Sequence, residues 1–166
     1  KLTARCCAGR GGTSHKQPVR IIVDSNGKIP LEACLFKEPG RTIIAFGSPV
    51  STEKRQAYQK AGAELVDFPD GSGKVDLAAL LHYLGQQKIT SLLVEGGSSV
   101  IGSMFDLGLV DKVVAFIAPM IIGGSTALSP VGGTGAATLD KTCRLEKIQL
   151  SRFDNDTAIT GYVIKD

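Results

Sequence analysis

The sequence predicts an α/β fold, with a mostly parallel sheet and helices on both of its faces. Short β-branched runs alternate with helical segments of about ten residues, an order typical of βαβ units. The first two runs, at 19–23 and 42–46, both end in turn-forming residues. The chain has 166 residues, a length that one domain accommodates, so we expect a single domain over residues 1–166.

Capping residues mark the helices of the first half. Ser51 or Thr52 can cap a helix that stops at Gly62, and residues 63–66 then form a strand. Asp76 can cap a second helix, whose leucines recur at i, i+3, i+4 and i+7 and predict an apolar face against a sheet.

The second half opens on an apolar run, residues 89–94, which we predict to be a buried strand. This run continues directly into the turn Glu95-Gly96-Gly97. Beyond the turn we expect a helix over residues 98–107 that stops at Gly108, and then a long apolar stretch over 112–122. A glycine-rich loop follows at 123–135, and two strands, 144–153 and 158–165, are expected to be added antiparallel.

Composition excludes several classes of protein. The net charge is only +3, no basic run occurs and Trp is absent, which argues against a nucleic-acid partner. No apolar run approaches the roughly 20 residues of a membrane span, and the first residues lack a secretory signal, so we expect a cytoplasmic protein without a membrane partner. Four cysteines occur without a Cys-x-x-Cys pair, so we predict no metal site.

The Glu95-Gly96-Gly97 turn has the character of an anion site. Glycines let a ligand approach the backbone closely, and Ser98 and Ser99 add hydroxyls at a helix N-terminus that carries unpaired N–H groups. The alternative is a tight connection capped by Ser98. Glu95 suggests function, because a carboxylate at the mouth of a buried strand is costly to desolvate; its alternative is a solvated strand-end carboxylate.

Asp24 and Ser25 end the first strand, at the edge of a parallel sheet where ligands bind. A plain turn explains them equally well. Arg5 could clamp a phosphate with two hydrogen bonds. His82 is expected to face solvent, and neither it nor His15 has a visible nucleophile partner, so a hydrolase triad is not supported.

Several motifs taken together resemble one family, the C-terminal reductase domain of the bifunctional riboflavin-biosynthesis deaminase/reductase, which has a dihydrofolate-reductase-like fold. The motifs are Leu2-Thr3-x-Arg5, Pro18-Val19-Arg20-Ile21-Ile22-Val23-Asp24-Ser25, Leu93-Val94-Glu95-Gly96-Gly97, Gly108-Leu109-Val110-Asp111 and Ile117-Ala118-Pro119-Met120-Ile121-Ile122-Gly123-Gly124. They occur in the family's order and cover nearly the whole chain.

The resemblance implies a reaction and a set of site residues. Family members use NADPH to reduce 5-amino-6-(5-phosphoribosylamino)uracil to the ribitylamino product, with direct hydride transfer to C1′ of the ribose. The residues placed against NADPH are Ser25, Gly97, Ser98, Ser99, Val100, Ile101, Gly102 and Ser103. Those placed against the substrate are Leu2, Arg5 and Glu95, and Glu95 is the candidate catalytic group, which holds the ribose hydroxyls or assists proton movement.

The resemblance also shows departures. The family's upstream Lys-x-Ser-x-Asp-Gly and Thr-x-x-x-Asp segments are not in this sequence, so we expect an N-terminally truncated reductase domain. The zinc deaminase signature is also missing from it, and a deaminase domain fused upstream is a candidate partner.

Two alternatives stay open: a reductase of the related 2,5-diamino-6-ribosylamino-pyrimidinone phosphate, and a non-catalytic nucleotide-binding module. A homodimer is expected, in which strand 113–117 and the tail strands pair across a two-fold axis.

Overall fold

The computed structural model describes residues 17–165 of the chain. The chain divides into two compact units, Lys1–Thr90 and Ser91–Asp166, and each is described by itself. The prediction of one domain over residues 1–166 stays a prediction.

The first unit is built on a three-stranded parallel sheet. Its strands are β1 (Arg20–Val23), β2 (Thr42–Phe46) and β3 (Ala63–Asp67), in the order β1-β2-β3. The central strand β2 is buried throughout because it has a neighbour on each side and an apolar sequence, Thr-Ile-Ile-Ala-Phe. The three strands therefore lie where the sequence predicts them, and the parallel sheet is confirmed.

Two helices of this unit begin at the predicted caps. Helix α1 (Thr52–Lys60) is capped by Ser51, whose hydroxyl accepts a hydrogen bond from the backbone N–H of Lys54. Helix α2 (Leu77–Gln86) is capped in the same way by Asp76.

An aromatic cluster anchors α1 to the sheet. Tyr58 of α1 is fully buried and stacks between the rings of Phe36 and Phe46, at centroid distances of 5.8 and 6.1 Å. Its hydroxyl donates to the backbone carbonyl of Ile29 at 2.8 Å and lies 3.2 Å from that of Gly27. Burial raises the pKa of this hydroxyl, so it stays protonated and able to donate at neutral pH.

The second unit combines one helix with an antiparallel sheet. Helix α3 (Ser98–Asp106) is followed by β4 (Lys112–Ile117), β5 (Leu145–Phe153) and β6 (Asp156–Val163). The sheet order is β4-β6-β5, with β6 antiparallel to both neighbours. The predicted antiparallel pairing of the tail strands is confirmed. Strand β4 ends before Pro119, which has no N–H for a sheet hydrogen bond, although the apolar stretch runs on to residue 122.

One predicted strand is wrong. Residues 89–94 have no strand structure, because no backbone segment among the described residues pairs with them. Leu93 is 77% exposed, so the run is not buried either. An apolar run becomes a strand only when a neighbour satisfies its N–H and C=O groups.

In the part of the chain that the structure describes, no helix is both long enough and apolar enough to span a membrane.

Candidate functional site

The Glu95-Gly96-Gly97 turn leads into an uncapped helix N-terminus. Gly97 occupies the N-cap of α3, and its carbonyl accepts from the N–H groups of Val100 and Ile101 at 3.0 and 3.1 Å. No side chain caps the helix, so the interpretation in which Ser98 serves as a cap is wrong. The N–H groups of Ser98 and Ser99 have no hydrogen-bond partner among the described residues. They are free to bind an acceptor, and the helix dipole favours an anion there.

Packing does not explain the two glycines of this turn. A Cβ added at Gly96 or at Gly97 would meet no atom of the described residues within 4 Å. Both residues are exposed. At Gly97 the backbone itself favours glycine, because its φ is 17°. At Gly96 a ligand that approaches the backbone closely would account for the absence of a side chain, as the sequence predicts.

The other residues predicted to contact the cofactor line α3 to different depths. Ser99 is exposed, and Gly102 is buried; the half-buried ones are Ser98, Val100, Ile101 and Ser103. Their contact with NADPH stays a prediction.

Glu95 is exposed and makes no ion pair or hydrogen bond with another described residue. The desolvation argument made for it from the sequence is therefore wrong, because the strand that was to bury it does not form. Its carboxylate is available to accept hydrogen bonds from a ligand, and its role in catalysis stays a prediction.

A glycine-rich loop packs along α3, and sequence reasoning missed it. The backbone N–H of Gly132 donates to the carbonyl of Ser98 at 2.9 Å. A Cβ on Gly102 would lie only 2.1 Å from the carbonyl carbon of Gly132, so α3 and the loop touch backbone to backbone. A glycine in the helix interior, where it costs stability, was the available signal.

Asp106, the last residue of α3, fixes the far end of this loop. Its carboxylate accepts from the backbone N–H of Thr134 at 2.7 Å and of Gly135 at 3.1 Å. These two hydrogen bonds, the one from Thr134 first, lower the pKa of the Asp106 carboxyl, so the group is charged at neutral pH. Residues 132–135 thus follow α3 from its first residue to its last.

In the first unit, Asp24 and Ser25 have different roles. The buried Asp24 carboxylate accepts from the backbone N–H of Lys28 at 2.8 Å and of Ile29 at 2.9 Å, so Asp24 stabilises the turn after β1. The half-buried Ser25 receives backbone hydrogen bonds on its carbonyl from Gly47 and Ser48. Its hydroxyl has no partner among the described residues and is available to a ligand.

Other predicted residues are not part of a described site. Leu2 and Arg5, predicted to bind the substrate, lie outside the described residues, as does His15. His82 is exposed on α2 beside Gln86, as predicted. Cys34 and Cys143 are exposed free thiols.

Comparisons with known proteins identify the fold and the family. A profile of the RibD C-terminal domain matches residues 1–159. The riboflavin biosynthesis protein RibD of Actinobacillus pleuropneumoniae is 35% identical over 151 residues, which cover 90% of this chain and 40% of that protein.

Two further proteins are similar. The 2,5-diamino-6-ribosylamino-4(3H)-pyrimidinone 5′-phosphate reductase of Methanothermobacter thermautotrophicus is 36% identical over 148 residues, which cover 89% of this chain and 67% of that protein. The solved structure of Acinetobacter baumannii RibD, form 2, has a TM-score of 0.79 at 21% identity, and the match covers 98% of this chain and 42% of that one.

The parallel sheet of the first unit and the solved neighbours show an α/β fold of the dihydrofolate-reductase-like class. The chain belongs to the RibD C-terminal domain family, with the matched profile covering nearly its whole length. It spans only about two fifths of the Actinobacillus RibD protein.

Proposed function

We propose that this chain is the reductase part of a riboflavin-pathway enzyme, which uses NADPH to reduce 5-amino-6-(5-phosphoribosylamino)uracil to 5-amino-6-(5-phosphoribitylamino)uracil. The observation that carries the proposal is the uncapped N-terminus of α3, where two N–H groups without a partner among the described residues lie beside two exposed glycines. Membership of the RibD C-terminal domain family supports the choice of reaction.

The residues of the turn fit the diphosphate of a dinucleotide. The N–H groups of Ser98 and Ser99 point out of the first turn of α3, and the glycines leave the backbone accessible. Ser25 of the first unit is proposed as a cofactor contact on the family resemblance alone, and its hydroxyl has no partner among the described residues. When bound, NADPH would supply the hydride that reduces C1′ of the ribose. The protein contributes orientation and charge placement, so it needs no nucleophile of its own.

Glu95 is the group proposed to face the sugar. An ionised carboxylate only accepts hydrogen bonds, so it can hold two ribose hydroxyls in one orientation. When the ribose ring opens, the same carboxylate can hold a proton in transit at a carboxyl oxygen. Leu2 and Arg5 complete the substrate side of the proposal, with Arg5 suited to the 5-phosphate because a guanidinium binds phosphate through two parallel hydrogen bonds.

The alternative substrate is the 2,5-diamino-pyrimidinone phosphate, before deamination. The Methanothermobacter relative favours it, since its name specifies that compound and the match covers 67% of that protein. If the uracil is the substrate, a deamination must precede the reduction, and a deaminase domain, fused or separate, would supply it.

An assay of the full-length protein with each pyrimidine tests the proposal, with NADPH consumption followed by the loss of reduced-nicotinamide absorbance. We expect turnover of one pyrimidine and a strong preference over the other. NADPH binding without turnover of either would favour the non-catalytic module instead. Absence of both binding and turnover would contradict the proposal as a whole.

A paired substitution tests the role of Glu95. Glu95→Gln keeps the size of the side chain and removes its charge, and we expect kcat/KM for the pyrimidine to fall by about 10²- to 10⁴-fold, the range for a lost acid–base group. The Kd for NADPH should change little. The control is Glu32→Gln, at an exposed glutamate of the first unit, which should leave both quantities unchanged. Equal kcat/KM in the two variants would remove Glu95 from the site.

The homo-oligomer also belongs to this proposal. The edge strands β4 and β5 carry exposed apolar side chains, among them Phe116 at 64% and Leu150 at 70% exposure. An apolar sheet whose two edge strands pair with no further described strand is suited to burial against a second copy. Light scattering of the full-length protein should give twice the monomer mass, and a monomer at micromolar concentration would contradict this part. The cytoplasmic location stays a prediction.

A further inference from the structure

We infer that Asp106 is a positioning residue for the dinucleotide: it holds the loop 132–135 against α3, so that the loop forms one wall of the phosphate site at the N-terminus of the helix. This role rests on the proposed function, because it presupposes that a dinucleotide binds at Gly97–Ser99. It concerns a residue that lies a full helix length from that turn.

The position of Asp106 is unfavourable for the helix itself. A carboxylate in the last turn of a helix interacts unfavourably with the negative end of the helix dipole. Here that carboxylate is committed to the loop, since one oxygen accepts from Thr134 and the other from Gly135. The side chain therefore serves the loop and not the helix.

The other end of the loop lies beside the predicted phosphate contacts. Gly132 donates to the carbonyl of Ser98, and a Cβ added to Gly132 would lie 3.5 Å from the backbone nitrogen of Ser99. Ser98 and Ser99 carry the two free N–H groups. A displaced loop would change the shape and the water content of the space next to those groups.

Few contacts other than those of Asp106 hold the loop in this place. Among the described residues, the backbone of the loop makes three hydrogen bonds to α3, and two of them end on Asp106; the side chain of Thr134 also donates to this carboxylate. Gly102 and Gly133 meet without side chains, and the site of a Cβ on Gly133 lies against the Asp106 carboxylate. Loss of that carboxylate leaves, among the described residues, the hydrogen bond from Gly132 as the one backbone hydrogen bond between the loop and α3.

The test compares Asp106→Ala and Asp106→Asn with a control, Asp140→Ala, in the full-length protein. Asp140 is an exposed carboxylate of the same unit that makes no hydrogen bond to another described residue. The readouts are the Kd for NADP⁺ by calorimetry, amide hydrogen exchange of residues 132–135, the melting temperature, and kcat with KM for NADPH.

We expect faster exchange at Thr134 and Gly135 in Asp106→Ala, together with weaker binding of NADP⁺. If the loop is docked in only about one half to one tenth of the molecules, the apparent Kd for NADP⁺ rises by about two- to tenfold, because affinity is proportional to the fraction of molecules able to bind. KM for NADPH should rise with it while kcat stays nearly constant. Asp106→Asn, which keeps one acceptor oxygen, should fall between the wild type and Asp106→Ala.

Four results would overturn the role of Asp106. Faster exchange with an unchanged Kd would show that the loop does not shape the site, and the proposed function would stand. A lower kcat at constant KM, or a Kd change equal to that of Asp140→Ala, would also contradict it. If the wild type failed to bind NADP⁺, the proposed function would fall, and the role of Asp106 with it.

Discussion

A carboxylate placed at the N-cap of α3 should separate the stability of the helix from its affinity for a phosphate. Gly97 is the N-cap, and a Cβ there meets no described atom, so a side chain fits without displacing its surroundings. Gly97 has a φ of 17°, however, which L residues rarely adopt, so either side chain costs some stability. Because Asp and Asn are similar in size and are both good N-cap residues, Gly97→Asp and Gly97→Asn should have melting temperatures close to each other and below that of the wild type.

The two variants should differ in cofactor binding. With the new carboxylate roughly 5 Å from a bound phosphate, the repulsion is about 0.8 kcal/mol in bulk water and about 3 kcal/mol at an effective dielectric constant of about 20. Since about 1.4 kcal/mol is tenfold in affinity, and since Gly97 is exposed, we expect the Kd of Gly97→Asp to exceed that of Gly97→Asn by about tenfold.

Calorimetric titration of NADPH into the full-length variants measures this difference. The ratio of the two Kd values should shrink as salt is raised from about 0.01 to 1 M, because the screening length falls from about 30 to 3 Å. Equal affinities in the two variants at low salt would refute the anion site. So would a ratio that does not respond to salt.

Three further predictions concern stability, and each is checked by denaturant unfolding of the full-length protein. Gly102→Ala should cost about 1–3 kcal/mol of stability, because its Cβ would overlap the loop backbone. The control is Gly85→Ala in α2, where a Cβ meets no described atom, and it should stabilise the protein by about 0.5–1 kcal/mol. Equal effects of the two substitutions would contradict the backbone contact at Gly102. Tyr58→Phe should cost about 1–2 kcal/mol, since the buried hydroxyl donates to the carbonyl of Ile29 at 2.8 Å. A neutral result would show that this carbonyl finds another donor. The hydrogen bonds from Arg41 lower the pKa of the Glu64 carboxyl. Because the ion pair is exposed, it contributes only about 0–1 kcal/mol to the free energy of unfolding. This contribution is present above the unfolded pKa of about 4.3 and is lost as the pH falls through the lower folded pKa. The stability difference between the wild type and Glu64→Gln should thus shrink as the pH is lowered below about 4.3, and a difference that grows on acidification would be contrary to this sign.

The helices of the first unit were predictable because their signals are local. Ser51 and Asp76 cap α1 and α2 through hydrogen bonds to residues three positions along the chain, so the sequence within one turn determines where each helix begins. The same holds for Gly62, which follows α1 with φ of 86° and can take that conformation at no cost to a side chain.

The parts that the sequence mispredicted depend on distant partners. Residues 89–94 have the composition of a buried strand, but a strand also needs a neighbouring backbone, and none of the described segments provides one. The contact between Gly102 and Gly132 joins residues thirty positions apart, and no local pattern indicates it. The sequence predicts a turn at Asp24 and Ser25 but does not distinguish the roles of the two residues. In the structure the carboxylate of Asp24 stabilises the turn, whereas the hydroxyl of Ser25 has no partner among the described residues and is available to a ligand.

The transfer of deuterium from the cofactor to the sugar tests the central claim most directly. The full-length protein would be supplied with NADPH deuterated at C4 of the nicotinamide, once on each face, and with each pyrimidine in turn, and the product would be examined by mass spectrometry and NMR. The account predicts that one of the two labelled cofactors gives a ribityl product with a single deuterium at C1′. A product without deuterium from either cofactor, or no reduced product from either pyrimidine, would contradict it.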